Sequence, residues 1–293
     1  MLTMSKNSRI TFTKLHGLGN DFIVTNSRNI SGDLSRLAQS ICERHTGVGG
    51  DGLLLVQKPR STKNHARVRF FNADGSEAEM SGNGIRCAGA FLIREDRRLR
   101  TLRVETASGV KILETQSTAV QMRRGKWNFR VNMGMPILDA EKIPFLAGKY
   151  PSPVVGYPVR TEHGVLAATV TSMGNPHCSI FVEDFSSTSW EAIGREIERS
   201  AMFPNRTNVE FVRVLSKREI EVRYWERGVG KTMSSGTGSC GAVVACILNG
   251  FTRRAVKVRT LAGTLEVEWP QDMEVLLSGP AELIADGVYY PPQ

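Results

Sequence analysis

Phe71-Asn72-Ala73-Asp74-Gly75, followed by Ser81-Gly82-Asn83-Gly84 and an apolar run from Cys87 to Ile93, decides the fold, because the chain contains this arrangement twice. At an offset of 154 residues, Trp225-Glu226-Arg227-Gly228 takes the place of Phe71-Asn72-Ala73-Asp74. At the same offset Ser235-Gly236-Thr237-Gly238 matches the first Ser-Gly-x-Gly and leads into Cys240 to Leu248. Upstream, Gly19-Asn20-Asp21-Phe22 returns at an offset of 155 as Gly174-Asn175-Pro176-His177. Matched features in one order at one spacing indicate a duplicated domain, since the period is too long for a solenoid.

Each half reads as many strands and few helices. Val68 to Phe71 and Glu221 to Trp225 are β-rich runs, each followed by a glycine loop and a helical segment. Further strand candidates are 11–15, 53–57, 102–105, 111–114, 128–132, 165–171, 179–182, 210–214, 255–260 and 264–269. Segments 33–44 and 190–200 read as helices, with Asp33 as a cap for the first. The expected architecture is α+β, with two pseudo-symmetric domains of similar fold and an active site in the cleft between them. The expected division is 1–135, 136–275 and a segment 276–293 that either closes the second half or crosses back to the first.

Composition excludes several classes. The 293 residues are 41% hydrophobic and 23% charged, typical of a globular protein. The net charge of +9 is spread over the chain; its densest runs are Arg94, Arg97, Arg98 and Arg100, then Arg123, Arg124 and Lys126. No aromatic ladder interleaves them, so they read as solvated surface and not as a nucleic-acid platform. Five cysteines at irregular spacing fit neither a disulfide framework nor a zinc site, and point to a reducing cytoplasm. Met1 to Lys14 is polar and unlike a signal peptide, no run reaches membrane-span length, and Asn29-Ile30-Ser31 carries no weight as a glycosylation site. The five histidines lack metal-ligand spacing, and no Walker or dinucleotide fingerprint is present. No metal or cofactor is expected.

A Ser-Gly-x-Gly turn that opens a helix suits an anion. Glycines admit a ligand close to the backbone, and the helix N-terminus offers unpaired N–H groups and a positive dipole end. Two such loops related by a twofold would grip one carboxylate and set Ser81 and Ser235 on opposite faces of one carbon. That geometry suits removal of a proton from one face and its return on the other.

The blocks HGLGNDF (His16 to Phe22), FNADGSEAEMSGNGIRC (Phe71 to Cys87), MGNPHC (Met173 to Cys178), FPNRTNVEF (Phe203 to Phe211) and WERGVGKTMSSGTGSC (Trp225 to Cys240) resemble, in order, those of the diaminopimelate epimerase family. The resemblance implies epimerisation of LL-2,6-diaminoheptanedioate to the meso form without a cofactor, a step towards lysine and cell-wall peptide, by a homodimer. It implies that Gly82, Asn83, Gly236 and Thr237 offer backbone N–H groups to the α-carboxylate. Asn20, Asn72, Asn175 and Asn208 would bind the amino and carboxyl groups, Glu226 an ammonium, and Arg227 the distal carboxylate. His177 and Glu226 would assist catalysis beside the residues at 81 and 235.

The departure is at those two residues. The family opens both loops with cysteine, one thiolate taking the α-proton and the opposite thiol returning one; here both are serine. Cys87 and Cys240 lie more than a helical turn beyond and are not expected to substitute. Gly52 stands where some members carry glutamine. Three readings of the serine pair follow: an introduced substitution that keeps binding and abolishes turnover, a natural homologue that binds without epimerising, and slow proton transfer. Related proline racemase and hydroxyproline dehydratase families replace one cysteine and eliminate water; replacement of both makes that the weaker reading.

Overall fold

Alternation of short buried strands with two helices that bury almost every side chain sets the architecture. The computed structural model describes residues 9–292 apart from 31, 147 and 149. The N-terminal stretch read for a signal peptide and the Asn29-Ile30-Ser31 tripeptide therefore lie partly outside the described residues. The chain divides into two units, Met1–Val131 with Gly279–Gln293, and Asn132–Ser278.

The first unit runs β1 (Ile10–Gly17), β2 (Asn20–Asn26), α1 (Leu34–Cys42), β3 (Gly52–Gln57), β4 (Ala66–Asn72), β5 (Glu77–Ala78), α2 (Gly82–Glu95), β6 (Thr101–Thr106), β7 (Gly109–Thr115), α3 (Ala119–Arg123) and β8 (Lys126–Gly134), which passes into the second unit after Val131. The second runs β9 (Val154–Thr161), β10 (Gly164–Ser172), β11 (Pro176–Phe181), α4 (Trp190–Glu198), β12 (Asn208–Ser216), β13 (Glu219–Glu226), β14 (Gly230–Thr232), α5 (Gly236–Leu248), β15 (Ala255–Thr260), β16 (Gly263–Glu268) and β17 (Val275–Tyr289). β17 continues past Ser278 into the first unit and pairs there with β1, Tyr289 opposite Ile10. From β1 and from β10 onward the pairing is the same. β2–β3 and β11–β12 are parallel, β3–β4 and β12–β13 antiparallel, and β4–β6 and β13–β15 parallel. The protein is thus α+β, one topology written twice.

Sequence explains each helix. Asp33 caps α1, its Oδ1 accepting from the N–H groups of Ser35 and Arg36. Leu37, Ala38, Ile41 and Cys42 form its buried stripe, which joins Ile10, Ile23, Leu53, Leu55 and Phe71 in one core. In α4, Ile193, Gly194, Ile197 and Glu198 face inward, and the first and third join Phe211 and Trp225 in the second core. A Cβ at Gly194 would stand 2.7 Å from Trp225 Cβ, so glycine sets how closely α4 approaches β13. α2 and α5 carry no such stripe. They are buried nearly all round, as the central helix that the strands of each unit enclose.

The strand readings missed β2 and β9, gave no bounds for β17, and left out the short β5 and β14. β2 is a continuous buried run with no polar alternation to announce it. β9 contains Gly156 and Pro158, which interrupt the strand signal; among the described residues it pairs only with β10. Among the described residues no helix is long and apolar enough to cross a membrane.

One loop carries its own pH prediction. Glu105 accepts from the backbone N–H groups of Arg60 and Ser61 and from the Asn64 amide, which hold its carboxyl at about 2 against an ordinary 4.5. The depressed value contributes stability that is present above pH 4.5 and lost as pH falls towards about 2. Amide exchange in residues 60–64 should accelerate across that window, and Glu105→Gln should show the fast rate already at neutral pH. Equal protection in the two forms would remove the anchoring role.

Candidate active site

The two loops are built alike. Ser81 precedes α2 with φ −129° and ψ 127°, and its Oγ accepts from Gly84 N at 3.1 Å. Ser235 precedes α5 with φ −131° and ψ 128°, and its Oγ accepts from Gly238 N at 3.2 Å. Both serines are N-caps, a task serine performs well. The third helical amide of each helix is thereby taken. Gly82 and Asn83, like Gly236 and Thr237, occupy the first two positions, whose N–H groups have no intrahelical acceptor.

In the first unit, side chains lock the loop. Arg86 is fully buried and donates to Gly82 O at 2.7 Å, Asn83 Oδ1 at 2.8 Å and Pro280 O at 3.0 Å. The Asn83 amide donates to Asn20 Oδ1 at 3.2 Å, and Asn20 donates in turn to Asp51 Oδ2 at 2.7 Å. Arg44 ties Asp51 to Asp21. The structure therefore joins Asn20 and Asn83. Asn72 is exposed and donates to Ser76 Oγ at 2.9 Å, closing its own turn. The sequence reading gave Arg86 and Asp51 no role; neither has a periodic signal. A Cβ at Gly52 would fall 2.7 Å from Phe71 O, so the glycine follows from backbone packing here.

In the second unit the polar residues form one buried cluster. His177 and Glu210 sit side by side on β11 and β12, 0% and 1% exposed, with Nδ1 2.7 Å from Oε1. The other ring nitrogen lies 3.0 Å from Asn175 Oδ1. Burial pushes the Glu210 carboxyl up, against the pull of the imidazole. The cluster sits directly under α5. A Cβ at Gly238 would be 2.9 Å from Glu210 Oε1, and one at Gly241 2.9 Å from His177 Cγ. Glycine is required at both positions for the helix to close over the pair.

Glu226, partly buried at the end of β13, accepts from Thr232 Oγ1 at 2.6 Å and from Ser235 Oγ at 2.9 Å. Loss of solvent raises its pKa; the two hydroxyls oppose this and the nearby Glu210 adds to it. The Ser235 hydroxyl thus stands between a helix N-terminus and a carboxylate acceptor. Within its own unit Ser81 has no carboxylate hydrogen-bonded to it among the described residues.

Asn208 is buried with both amide ends engaged, donating to Pro176 O and accepting from Arg227 N at 3.0 Å each. Arg227 is exposed and its guanidinium reaches Asn205 O at 3.2 Å. Glu198, 3% exposed, accepts from Gly228 N at 3.0 Å and Trp225 Nε1 at 3.1 Å, so it fixes the strand end that carries Glu226 and Arg227. Neither Glu198 nor Glu210 stood out in the sequence, where each is one glutamate among many. Cys87, inside α2, is fully buried and its thiol is pushed up to about 12, which removes it as a base at neutral pH. Among the described residues no group of three or more His, Cys, Asp or Glu is placed to hold a metal ion.

The family model for diaminopimelate epimerase matches residues 12–135 and 169–284. The chain belongs to the diaminopimelate epimerase family. A diaminopimelate epimerase of Pelotomaculum thermopropionicum is 46% identical, over 95% of this chain and 98% of its own length. One of Methanococcus maripaludis is 38% identical over 94% and 98%. Among solved structures, a hydroxyproline epimerase from Agrobacterium vitis superposes with TM-score 0.71 at 12% identity, covering 96% of this chain and 91% of that one. A methylitaconate-delta-isomerase gives 0.65 at 14%, covering 97% and 96%. These two show the shared fold. Membership in the diaminopimelate epimerase family places the chain among the isomerases, with Ser81 and Ser235 heading its two loops.

Proposed function

We propose that the chain binds 2,6-diaminoheptanedioate through its two serine-headed loops, one from each half, and epimerises it by two-base proton transfer only very slowly. The observation that supports this is the matched pair of N-capped loops, one of them with its hydroxyl on the Glu226 carboxylate. The amides of Gly82, Asn83, Gly236 and Thr237 receive the α-carboxylate, with Asn20, Asn72 and Asn175 beside it. Asn208 serves by holding the Arg227 backbone, and the Arg227 fork takes the distal carboxylate. His177, enclosed between Glu210 and Asn175, acts through Asn175. Glu226 receives a proton through Ser235, or pairs with the substrate ammonium. A cytoplasmic location and a homodimer follow the family. A second reading, a homologue that only binds, is favoured by the fact that both serines already have a structural task as caps.

Calorimetry with meso-diaminopimelate tests the binding. Arg227→Ala should weaken it by roughly 1.5–3 kcal/mol, about tenfold to a hundredfold. Arg227→Lys should recover only part, since an ammonium cannot fork. Absence of binding by the unaltered chain would reject the substrate, and full affinity in Arg227→Ala would reject the role of the arginine.

A further inference from the structure

The two basic runs of the sequence, separated by some twenty residues, meet at one cavity. It lies in the first unit, has a volume of ≈ 250 Å³, and is lined by residues of α2, α3, β8 and β17 and by the turns between them. Its walls are of two kinds. Ile93, Met122, Trp127 and Leu283 supply apolar surface, and Arg94, Arg97, Arg100 and Arg123 supply four guanidinium groups; no carboxylate is among the lining residues.

The charges are not neutralised locally. Arg94 alone is matched, gripping Asp286 with both nitrogens at 2.8 and 2.9 Å, which makes it a rigid side of the cavity. Arg100 donates to the carbonyls of Arg97 and Leu99, which orients its guanidinium and leaves its charge. Arg97 and Arg123 form no ion pair among the described residues. The floor is fixed by the backbone: Leu283 N donates to Gly125 O at 2.8 Å, and Gly125 has φ +72°, where its missing Cβ keeps clear of Leu283. Three unmatched cations around an apolar floor favour an occupant with an acidic head and an apolar body. The volume lies just below the range of drug-sized pockets, ~300–1,000 Å³, so the occupant is small.

We propose that this cavity is a binding site for a small amphiphilic anion, a carboxylate, sulfonate or phosphate ester on an aliphatic or aromatic body, separate from the loops headed by Ser81 and Ser235. The charge holds the head at Arg97, Arg100 and Arg123, and the body lies on Trp127, Met122 and Leu283. The site does not depend on diaminopimelate as substrate, because none of its residues belongs to those loops.

Naphthalene sulfonate is a suitable probe, read by calorimetry and by quenching of Trp127. Saturable binding is expected, with the quench lost in Trp127→Phe. Inorganic sulfate and neutral naphthalene methanol should each bind at least about tenfold more weakly, since each satisfies only one wall. Arg97→Ser with Arg123→Ser removes two exposed side chains and should weaken the probe by about tenfold or more. Ala119→Trp, on the exposed turn of α3, fills the cavity with every arginine in place and should abolish binding. No saturable heat with the probe, unchanged affinity in either variant, or sulfate binding as tightly as the probe would each overturn the proposal.

Discussion

Replacing Ser81 and Ser235 together by cysteine is expected to raise the rate of α-proton exchange and of LL-to-meso conversion by at least about 10⁴-fold. The reason is acid strength. A serine hydroxyl is a far weaker acid than a thiol, which ionises near ~8.5 and lower at a helix N-terminus. At neutral pH the serines present almost no conjugate base, and a proton transferred to one face has no acid of matching strength on the other. General acid and base groups each contribute about 10²–10⁴-fold, and the two act as a unit. Either single cysteine should therefore recover far less than the pair. Position 235 should gain more on its own, because Glu226 Oε2 already lies 2.9 Å from the side-chain atom there and accepts its proton. Each replacement also removes a serine cap, at a cost of about 1 kcal/mol of stability. Deuterium incorporation at Cα, followed by nuclear magnetic resonance, separates exchange from inversion. A double-cysteine form that binds meso-diaminopimelate yet exchanges no proton would end the two-base reading while leaving the substrate assignment intact.

Glu210→Ala is expected to destabilise the protein by roughly 3–5 kcal/mol, the largest loss foreseen for a single side chain here. His177 and Glu210 are both enclosed, and each is the other's hydrogen-bond partner at 2.7 Å. With the carboxyl gone, His177 keeps a buried nitrogen without its partner, and a void opens beneath Gly238. Changing both members to apolar residues of similar size should recover part of the loss, which a double-mutant cycle in denaturant would show as coupling. The pH dependence has a definite sign. Burial raises the Glu210 pKa above its unfolded value, so its contribution is complete below the ordinary carboxylate range and declines as pH rises through the raised value. That decline with rising pH should be missing in Glu210→Ala. A loss below about 1 kcal/mol, or an unchanged slope, would mean the pair is not the strut beneath α5.

The loops were legible because their signals are local. A serine before two glycines caps a helix wherever it occurs, and the offset between the copies of that pattern reports a duplication. Asp33 as the cap of α1 was legible for the same reason. Of the strands that escaped, β2 and β9 lack period-two alternation: one is buried at all but its two end residues, and the other is broken by Gly156 and Pro158. Of the residues that stiffen the loops, Glu198, Glu210, Arg86 and Asp51 were all invisible. Their significance lies in their partners, and no spacing rule connects Arg86 to Pro280, 194 residues away, or His177 to Glu210, 33 residues away.

The amino-acid order on its own determined that the topology occurs twice, that Ser81 and Ser235 stand at equivalent places, and that both lack the acidity of a thiol. Those properties reside in side-chain chemistry and backbone propensity within a few residues, which folding does not alter. Tertiary structure alone decided which charges became buried partners and which stayed bare: Glu210 beneath α5, Arg86 beneath Asn83, and four arginines from two runs around one apolar cavity. Desolvation and pairing act over ångströms in space, and only the folded chain brings such groups within that distance.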